Sequence, residues 1–314
     1  MTDPRRIILI DSSSFLHRFF HGYPPRTGRL EGEPVEAAAL FGYTKYLAGL
    51  PQELEFEGLV HVLDNSEGSA FRKEIYPAYK GQRSEKAPEL IRQEELLCPM
   101  LNALGQRVLQ VPGVEADDLI ASLAKKLVDQ GDEVLIISGD KDLMQLVEDG
   151  KIVMASYKDQ GPDRRKEHVF IESAQVVEKF GVRPDQVADF LALVGDAVDN
   201  IPGVHKVGPK TAANWLNQYG TLASLMTNAH EIKGATGERL RETLHLLPTY
   251  RRLTGCLEVE VSMPAPGTKD LEWARNLIAW PTNMHDSSLP EDPAPLAEDQ
   301  VALASGSRFA RRGP

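Results

Sequence analysis

Cysteine and long apolar runs are both scarce in this sequence. Only Cys98 and Cys256 occur among 314 residues, which is too few for a disulfide framework and lacks the spacing of a metal site. No run approaches the roughly 18 apolar residues that a membrane-spanning helix needs. The four apolar residues before Asp11 are too few for a secretory signal. We therefore expect a cytoplasmic protein with reduced thiols.

An excess of positive charge is also missing. The 35 Lys and Arg residues face 46 Asp and Glu residues, which gives a formal net charge of −11. Nucleic-acid-binding domains are commonly basic. However, nine acidic residues that we single out below account for −9 of this charge, and bound cations would neutralise them. The overall charge therefore does not exclude a nucleic-acid partner.

Strand and helix patterns alternate along the first two thirds of the chain. Apolar runs typical of buried strands occur at 7–10, 58–63 and 133–138. Patterns typical of helices occur at about 35–50, 88–104 and 115–130. This order predicts an α/β fold with a mainly parallel central sheet and helices on both faces. The three runs lead into Asp11, Asp64 and Asp140. Sites in such sheets lie at the carboxyl ends of the strands.

The rest of the chain differs in composition. We expect a catalytic domain at 1–172, a mainly helical region at 173–281 and a disordered tail at 282–314. Alternation at 256–263 predicts a late strand. In the tail, Gln300 and Leu303 weakly match peptides that bind sliding clamps, although the aromatic end of such peptides is absent.

Nine acidic residues lie in motifs that could form one site. They are Asp11, Asp64, Glu115, Asp117, Asp118, Asp140, Asp142, Asp196 and Asp199. Each motif alone has an ordinary explanation: a charged helix start at 115–118, a turn with an N-cap at 140–142, and an Asx-rich loop at 196–199. If the strand ends converge, however, these carboxylates repel each other strongly unless cations lie between them.

Divalent cations with oxygen ligands would relieve that repulsion. Mg²⁺ and Mn²⁺ prefer carboxylate ligands, and two such ions about 4 Å apart can hold the attacking and leaving oxygens of a phosphodiester. The sequence contains no convincing Ser/His/Asp or Cys/His set for nucleophilic catalysis. We therefore expect two Mg²⁺ or Mn²⁺ ions and hydrolysis of phosphodiesters.

The segment 71–92 is rich in basic residues. It contains Arg72, Lys73, Lys80, Arg83, Lys86 and Arg92, with Tyr76 and Tyr79 between them. Tyrosine and arginine together suit base stacking and phosphate contact on single strands. A solvated surface segment is the alternative. Because the segment follows the strand that leads into Asp64, we expect it to lie over the metal site.

A glycine-rich turn occupies residues 201–212. Gly203 and Gly208 alternate with Lys206 and Lys210, and Thr211 follows, in the pattern of a helix-hairpin-helix. Such glycines let the backbone approach a phosphate, and the following helix offers free N–H groups. A plain turn between two helices is the alternative. The motif predicts contact with a duplex backbone without sequence recognition.

Together these residues resemble the 5′-nuclease superfamily, and in particular the N-terminal 5′→3′ exonuclease domain of bacterial DNA polymerase I. Phage 5′-exonucleases and flap endonucleases are wider relatives. The resemblance covers roughly residues 5–260 and rests on LIDSSSFLHR, HGYPP, VLDN, FRKEIYPAYKGQR, VPGVEADDLIASLA, ISGDKDLMQLV and DFLALVGDAVDNIPGVHKVGPKTA. It implies a PIN-like fold, an active enzyme with all nine metal-site acids, and DNA with a 5′ flap, 5′ end or nick as partner. DNA replication or repair at the nucleoid is the implied setting.

The resemblance also implies roles for the basic residues. Lys80 and Arg83 would contact the scissile phosphate at the base of a helical arch at about 77–92. The implied DNA-binding residues are Arg72, Lys73, Tyr79, Lys86, Gly203, Lys206, Gly208, Lys210 and Thr211. The hairpin, at about 199–216, is expected to hold K⁺ by resemblance only.

Three other protein classes were weighed. Haloacid-dehalogenase phosphatases need a second Asp two residues after the first, where this chain has Ser13. A flap-binding protein without catalysis would lack acids that are present here, and a PIN-type ribonuclease would lack the hairpin and arch. The chain stops at residue 314 without a polymerase region, so we expect a stand-alone nuclease or a truncated homologue.

Overall fold

The computed structural model describes residues 4–65, 67–160 and 165–281. Its strands are β1 (Arg6–Asp11), β2 (Thr27–Leu30), β3 (Glu33–Glu36), β4 (Gly58–Val62), β5 (Arg107–Leu109), β6 (Glu133–Ile137), β7 (Ile152–Gln160) and β8 (Arg165–Ile171). Six of them form one sheet in the order β5-β4-β1-β6-β7-β8, in which only β8 is antiparallel to its neighbour. A separate antiparallel hairpin consists of β2 and β3.

Helices precede, separate and follow the strands of the sheet. They are α1 (Ser12–Gly22), α2 (Ala38–Glu53), α3 (Ala70–Ile75), α4 (Pro88–Ala103), α5 (Ala116–Asp129), α6 (Ser173–Phe180), α7 (Val187–Val194), α8 (Pro209–Tyr219), α9 (Leu222–Thr227), α10 (Gly234–Thr243), α11 (Leu247–Thr254) and α12 (Leu271–Ile278). Short 3-10 helices occur at Asp142–Leu146 and Pro184–Gln186. The helices predicted from periodicity correspond to α2, α4 and α5.

Alternation along the central strands divides the core into two halves. On β1, Ile7 and Leu9 are buried with residues of helices α5 to α11, whereas Ile8 and Ile10 are buried with residues of α1, α2, α4 and α12. Strands that are buried on both faces explain why the apolar runs of the sequence are continuous. The expected α/β fold, with a mainly parallel sheet between helices, is confirmed.

The strand expected at 256–263 is a wrong prediction, because this segment forms no strand. The N–H of Leu257 donates to Asp118 Oδ1 at 2.7 Å, and the N–H of Val259 donates to Ser122 Oγ at 2.9 Å. Both acceptors are side chains of α5, so a helix surface supplies the hydrogen bonds that a neighbouring strand would otherwise provide. Alternating burial alone does not distinguish these two environments.

None of the helices described above combines the length and the apolar character needed to cross a bilayer. The disordered tail expected at 282–314, and the clamp-binding residues Gln300 and Leu303 within it, lie outside the described residues.

Candidate metal centre and substrate cleft

Three acids lie at one edge of the sheet because their strands are neighbours. Asp11 is the last residue of β1, Asp64 follows β4, and Asp140 follows β6, and these strands are adjacent in the order β4-β1-β6. Serine hydroxyls connect them. Ser138 Oγ donates to Asp11 at 2.7 Å and accepts from the N–H of Asp140 at 2.9 Å. Ser13 Oγ accepts from the N–H of Asp64 at 2.9 Å.

The charges of these acids interact with that of Asp117, in the first turn of α5. Burial raises the pKa of Asp117 well above its usual range, and the carboxylates of Asp140, Asp11 and Asp64 raise it further. Burial also raises the pKa of Asp11 to about 7, with contributions from Asp64 and Asp140. The pKa of Asp64 is raised by its burial as well. The four carboxylates therefore share one poorly solvated region, as the strand-end argument predicts.

A second group of acids adjoins the first. Burial and the charge of Asp140 raise the pKa of Asp142 to about 7. Asp142 Oδ1 is buried and accepts no hydrogen bond, although Lys141 Nζ lies 3.4 Å away. The same ammonium donates to Asp196. A cleft of about 460 Å³ is lined by Ser14, Arg83, Gly139, Asp140, Lys141, Asp142, Lys179, Asp196, Val198 and Asp199.

The donor chemistry of these acids fits a hard divalent cation. Carboxylate oxygens are the ligands that Mg²⁺ and Mn²⁺ prefer, and the buried Oδ1 of Asp142 has no hydrogen-bond donor. Within residues 4–65, 67–160 and 165–281, no group of three His, Cys, Asp or Glu side chains is close enough together to hold a metal ion as it stands. A bound ion would therefore have to draw the carboxylates together against their mutual repulsion.

Arg72 is a buried counter-ion of two of the predicted acids. Its guanidinium donates to both oxygens of Asp118 at 2.7 Å and lies 2.6 Å from Glu115. It also donates to the carbonyl oxygens of Leu253 and Gly255. Only 4% of Arg72 is exposed, so it is not on the surface for the predicted DNA contact. Both oxygens of Asp118 accept from this one guanidinium, and Oδ1 also accepts from the N–H of Leu257 at 2.7 Å.

Tyr79 is also buried, contrary to its predicted role on a DNA-binding surface. Its hydroxyl donates to Asp199 at 3.0 Å and to Glu115 at 3.3 Å, and only 2% of the residue is exposed. An aromatic ring in this environment packs in the core and cannot stack on a base. The sequence pattern of interleaved tyrosines gave no indication of which way this side chain points.

Lys80 and Arg83 lie beside the acids. Lys80 Nζ donates to Glu115 Oε1 at 2.7 Å, and Arg83 donates to Asp199 at 2.8 Å. Burial lowers the pKa of Lys80, but Glu115 and Asp199 more than offset this, so its pKa is raised and the ammonium stays charged. The backbone of Lys80 is left-handed, with φ of 55°, and its N–H donates to the carbonyl oxygen of Asp199 at 3.1 Å. Both cations are therefore held by predicted metal-site acids, and Arg83 also lines the cleft.

The remaining basic residues of this segment are exposed. Lys86 pairs with Glu94 at 2.6 Å, and Lys73 is on the surface of α3. Residues 77–87 consist of turns and irregular chain, and regular helix begins with α4 at Pro88. The arch predicted at about 77–92 stays a prediction.

The glycine-rich turn connects α7 to α8. Gly203 has φ of 65°, and a Cβ there would lie 2.4 Å from the nitrogen of Gly195, so only glycine fits. Gly208 caps α8 and has open space around it. Lys206 and Lys210 are exposed, and Thr211 is half-buried in the first turn of α8. The turn thus presents two ammonium groups to solvent, while the N–H groups of Thr211 and Ala212 donate to the carbonyl oxygen of Gly208 at 3.1 Å.

Several residues of the site were not identified from the sequence. Ser13 and Ser138 connect the strand-end acids, and their positions next to those acids were an available signal. Lys141 and Lys179 line the cleft. The first of these lies inside the predicted GDKD motif, whereas the second gave no signal, because it stands in an ordinary helical pattern.

Comparison with solved structures shows the fold. The T5 D15 protein, co-crystallised with metal ions, aligns with a TM-score of 0.62 at 24% identity, over 80% of this chain and 89% of that chain. The catalytic core of Rad2 in complex with DNA substrate aligns with a TM-score of 0.54 at 16% identity, over 89% of each chain.

Comparison with sequences is more specific. DNA polymerase I of Mycobacterium tuberculosis is 37% identical over 273 residues, which are 87% of this chain but only 29% of the polymerase. A 5′-3′ exonuclease of Aquifex aeolicus is 36% identical over 259 residues, which are 82% of this chain and 85% of that protein. Residues 6–181 match the model of the 5′-3′ exonuclease N-terminal resolvase-like domain, and residues 182–275 match that of the 5′-3′ exonuclease C-terminal SAM fold. The chain therefore belongs to the 5′-3′ exonuclease family, as its motifs predicted.

Proposed function

We propose that this chain hydrolyses DNA phosphodiesters as a divalent-metal-dependent 5′→3′ exonuclease and 5′-flap endonuclease. The observation that carries the proposal is the gathering of buried carboxylates at one edge of the sheet, where burial and mutual repulsion raise the pKa of Asp11 and Asp142 to about 7. The names of relatives agree, since they include a 5′-3′ exonuclease and a T5 flap endonuclease in a complex with DNA and metal ions.

Two Mg²⁺ or Mn²⁺ ions are the proposed cofactors. One would be held by the group around Asp117, and the other by the group around Asp142. When bound, such ions supply positive charge that stabilises the negative charge developing on the phosphoryl oxygens. Asp118 pairs with Arg72 through both of its oxygens, and its role as a metal ligand stays a prediction.

The cations of the chain would bind and orient the substrate. Lys80 and Arg83 hold Glu115 and Asp199, two carboxylates that metal ions would also attract. Once those carboxylates are neutralised by metal, the ammonium and the guanidinium are available to a phosphate in the cleft. There they would stabilise charge that develops in the transition state.

The turn between α7 and α8 is proposed as the duplex-binding element. The exposed ammonium groups of Lys206 and Lys210 suit phosphates and do not recognise base sequence. Three further points belong to the same proposal and rest on the resemblance. The carbonyls of this turn would hold K⁺, and the chain would divide into two domains near residue 172. The protein would act on nucleoid DNA in the cytoplasm during replication or repair.

A labelled 5′-flap duplex tests the proposal directly. Purified protein should release the labelled flap in Mg²⁺, and EDTA should stop the reaction. A duplex closed by hairpin loops at both ends, which offers no free 5′ end or flap, is the matched substrate control and should stay intact. An intact flap after incubation with Mg²⁺, or cleavage that EDTA does not affect, would exclude the proposed activity.

A further inference from the structure

The cleft contains three cationic side chains, and they differ in their partners. Arg83 pairs with Asp199 at 2.8 Å. Lys141 donates to Asp196 and lies 3.4 Å from Asp142. The third cation, Lys179, has no carboxylate within ion-pair distance in the described part of the chain. Unlike Arg83 and Lys141, this ammonium is therefore not engaged by a carboxylate and can bind an anionic ligand in the cleft.

Lys179 reaches the cleft from a different part of the fold. It stands in the last turn of α6, which follows β8 directly, and its ammonium lies 5.4 Å from the centre of the Phe180 ring. The residue is exposed, so a ligand can approach it. The cleft therefore has a cation on the α6 side as well as Arg83 from the basic segment 71–92.

The charged groups around Lys179 do not suit a structural salt bridge. Its pKa is lowered by burial and by the like charges of Lys158 and Lys141, while Asp140 and Asp142 act in the opposite direction. A lysine in the last helical turn interacts favourably with the helix dipole, which explains the residue type. The dipole does not explain why the ammonium lies among other ammonium groups on the wall of the acidic cleft.

We propose that Lys179 binds a phosphodiester of the DNA strand in the cleft, next to the bond that is cut and not at it. This inference rests on the proposed function, because it takes DNA as the substrate. A phosphate between Lys179 and its neighbours would remove the repulsion among these lysines. The contact belongs to substrate binding, since Lys179 lines the cleft and, within the described residues, forms no ion pair with the acids proposed to hold metal.

Salt-dependent binding tests the contact. We would measure affinity for a fluorescent 5′-flap duplex in Ca²⁺ over a range of KCl concentrations for the wild type, Lys179→Ala and Lys179→Arg. Each phosphate contact contributes about −0.9 to the slope of log affinity against log salt. Lys179→Ala should weaken binding about 5- to 10-fold and reduce the magnitude of the slope by about one. Lys179→Arg should keep the slope.

The matched control is Lys45→Ala, an exposed helical lysine in α2 on the other face of the sheet. It should leave affinity and slope unchanged. At saturating substrate in Mg²⁺, Lys179→Ala should keep kcat within about threefold, because its loss is confined to binding. A wild-type slope for Lys179→Ala, or an equal effect of Lys45→Ala, would overturn the inference. Failure of the wild type itself to cut the flap would instead count against the proposed function.

Discussion

Replacing Asp142 by asparagine should stabilise the metal-free protein at alkaline pH. Its folded-state pKa is about 7 because of burial and the charge of Asp140, against an ordinary value of 3.8. Between these two pH values the folded state holds a proton that the unfolded state has lost, so stability falls as pH rises. At about 1.4 kcal/mol for each pH unit, the ionised group destabilises the fold by about 4 kcal/mol above pH 7, and by about half of that at pH 5.5.

Asparagine removes this charge while keeping the shape of the side chain. After allowance for relaxation of the site, we expect the free energy of unfolding to rise by about 2–4 kcal/mol at pH 8 in EDTA. For a chain of this size, about 2 °C per kcal/mol gives a rise in Tm of about 4–8 °C. Thermal unfolding followed by circular dichroism, in EDTA at pH 5.5 and pH 8, measures both values.

The control for this experiment is Asp129→Asn, which makes the same chemical change at an exposed position at the end of α5. We expect it to change stability by less than about 0.5 kcal/mol at either pH. Adding Mg²⁺ should stabilise the wild type more than Asp142→Asn, because the variant loses a ligand. The reasoning fails if Asp142→Asn lowers Tm at pH 8 in EDTA, or if its effect is the same at both pH values.

Three further predictions concern the site. Asp117→Asn should abolish cleavage in a gel assay while leaving flap affinity within a few-fold, and strong residual cleavage would contradict its proposed role. Lys80→Ala should lower kcat by about 10²–10³, the loss typical of one electrostatic stabiliser, and unchanged single-turnover kinetics would argue against it. Arg72→Ala should cost about 3–5 kcal/mol in urea unfolding because it leaves Asp118 buried without its counter-ion, whereas Glu115 keeps Lys80; a loss below about 1 kcal/mol would show that solvent reaches Asp118.

Much of the site follows from sequence because parallel strands place their carboxyl ends at one edge. That rule alone brings Asp11, Asp64 and Asp140 together, and the structure adds their hydroxyl partners. The same rule does not predict the direction in which a side chain points. Tyr79 lies in a segment whose composition suggests a nucleic-acid surface, yet its ring is in the core. Composition describes a segment as a whole, whereas burial is decided by which elements pack on it.

The same limit applies to two further features of the structure. Asp118 follows Asp117 directly, and the sequence gives both the same chemistry. On α5, however, one step in sequence turns the side chain by about 100°, which directs Asp118 to Arg72 and to the N–H of Leu257. The alternation at 256–263 likewise reflects a segment that is half-buried against this helix. Both features depend on contacts between residues far apart in the chain.

The negative net charge now has a local explanation that also links metal binding to DNA binding. In the metal-free site, three carboxylates are paired with cations of the chain: Glu115 with Lys80, Asp199 with Arg83, and Asp196 with Lys141. Each pair limits the repulsion within the cluster, and each also keeps a cation away from a substrate phosphate. Under the proposed function, metal bound at these carboxylates would leave the cations to a substrate phosphate, so metal and DNA should each strengthen the binding of the other, by the same factor. An excess of acids would then be compatible with DNA as the substrate, because the basic groups would become available when the acids bind metal.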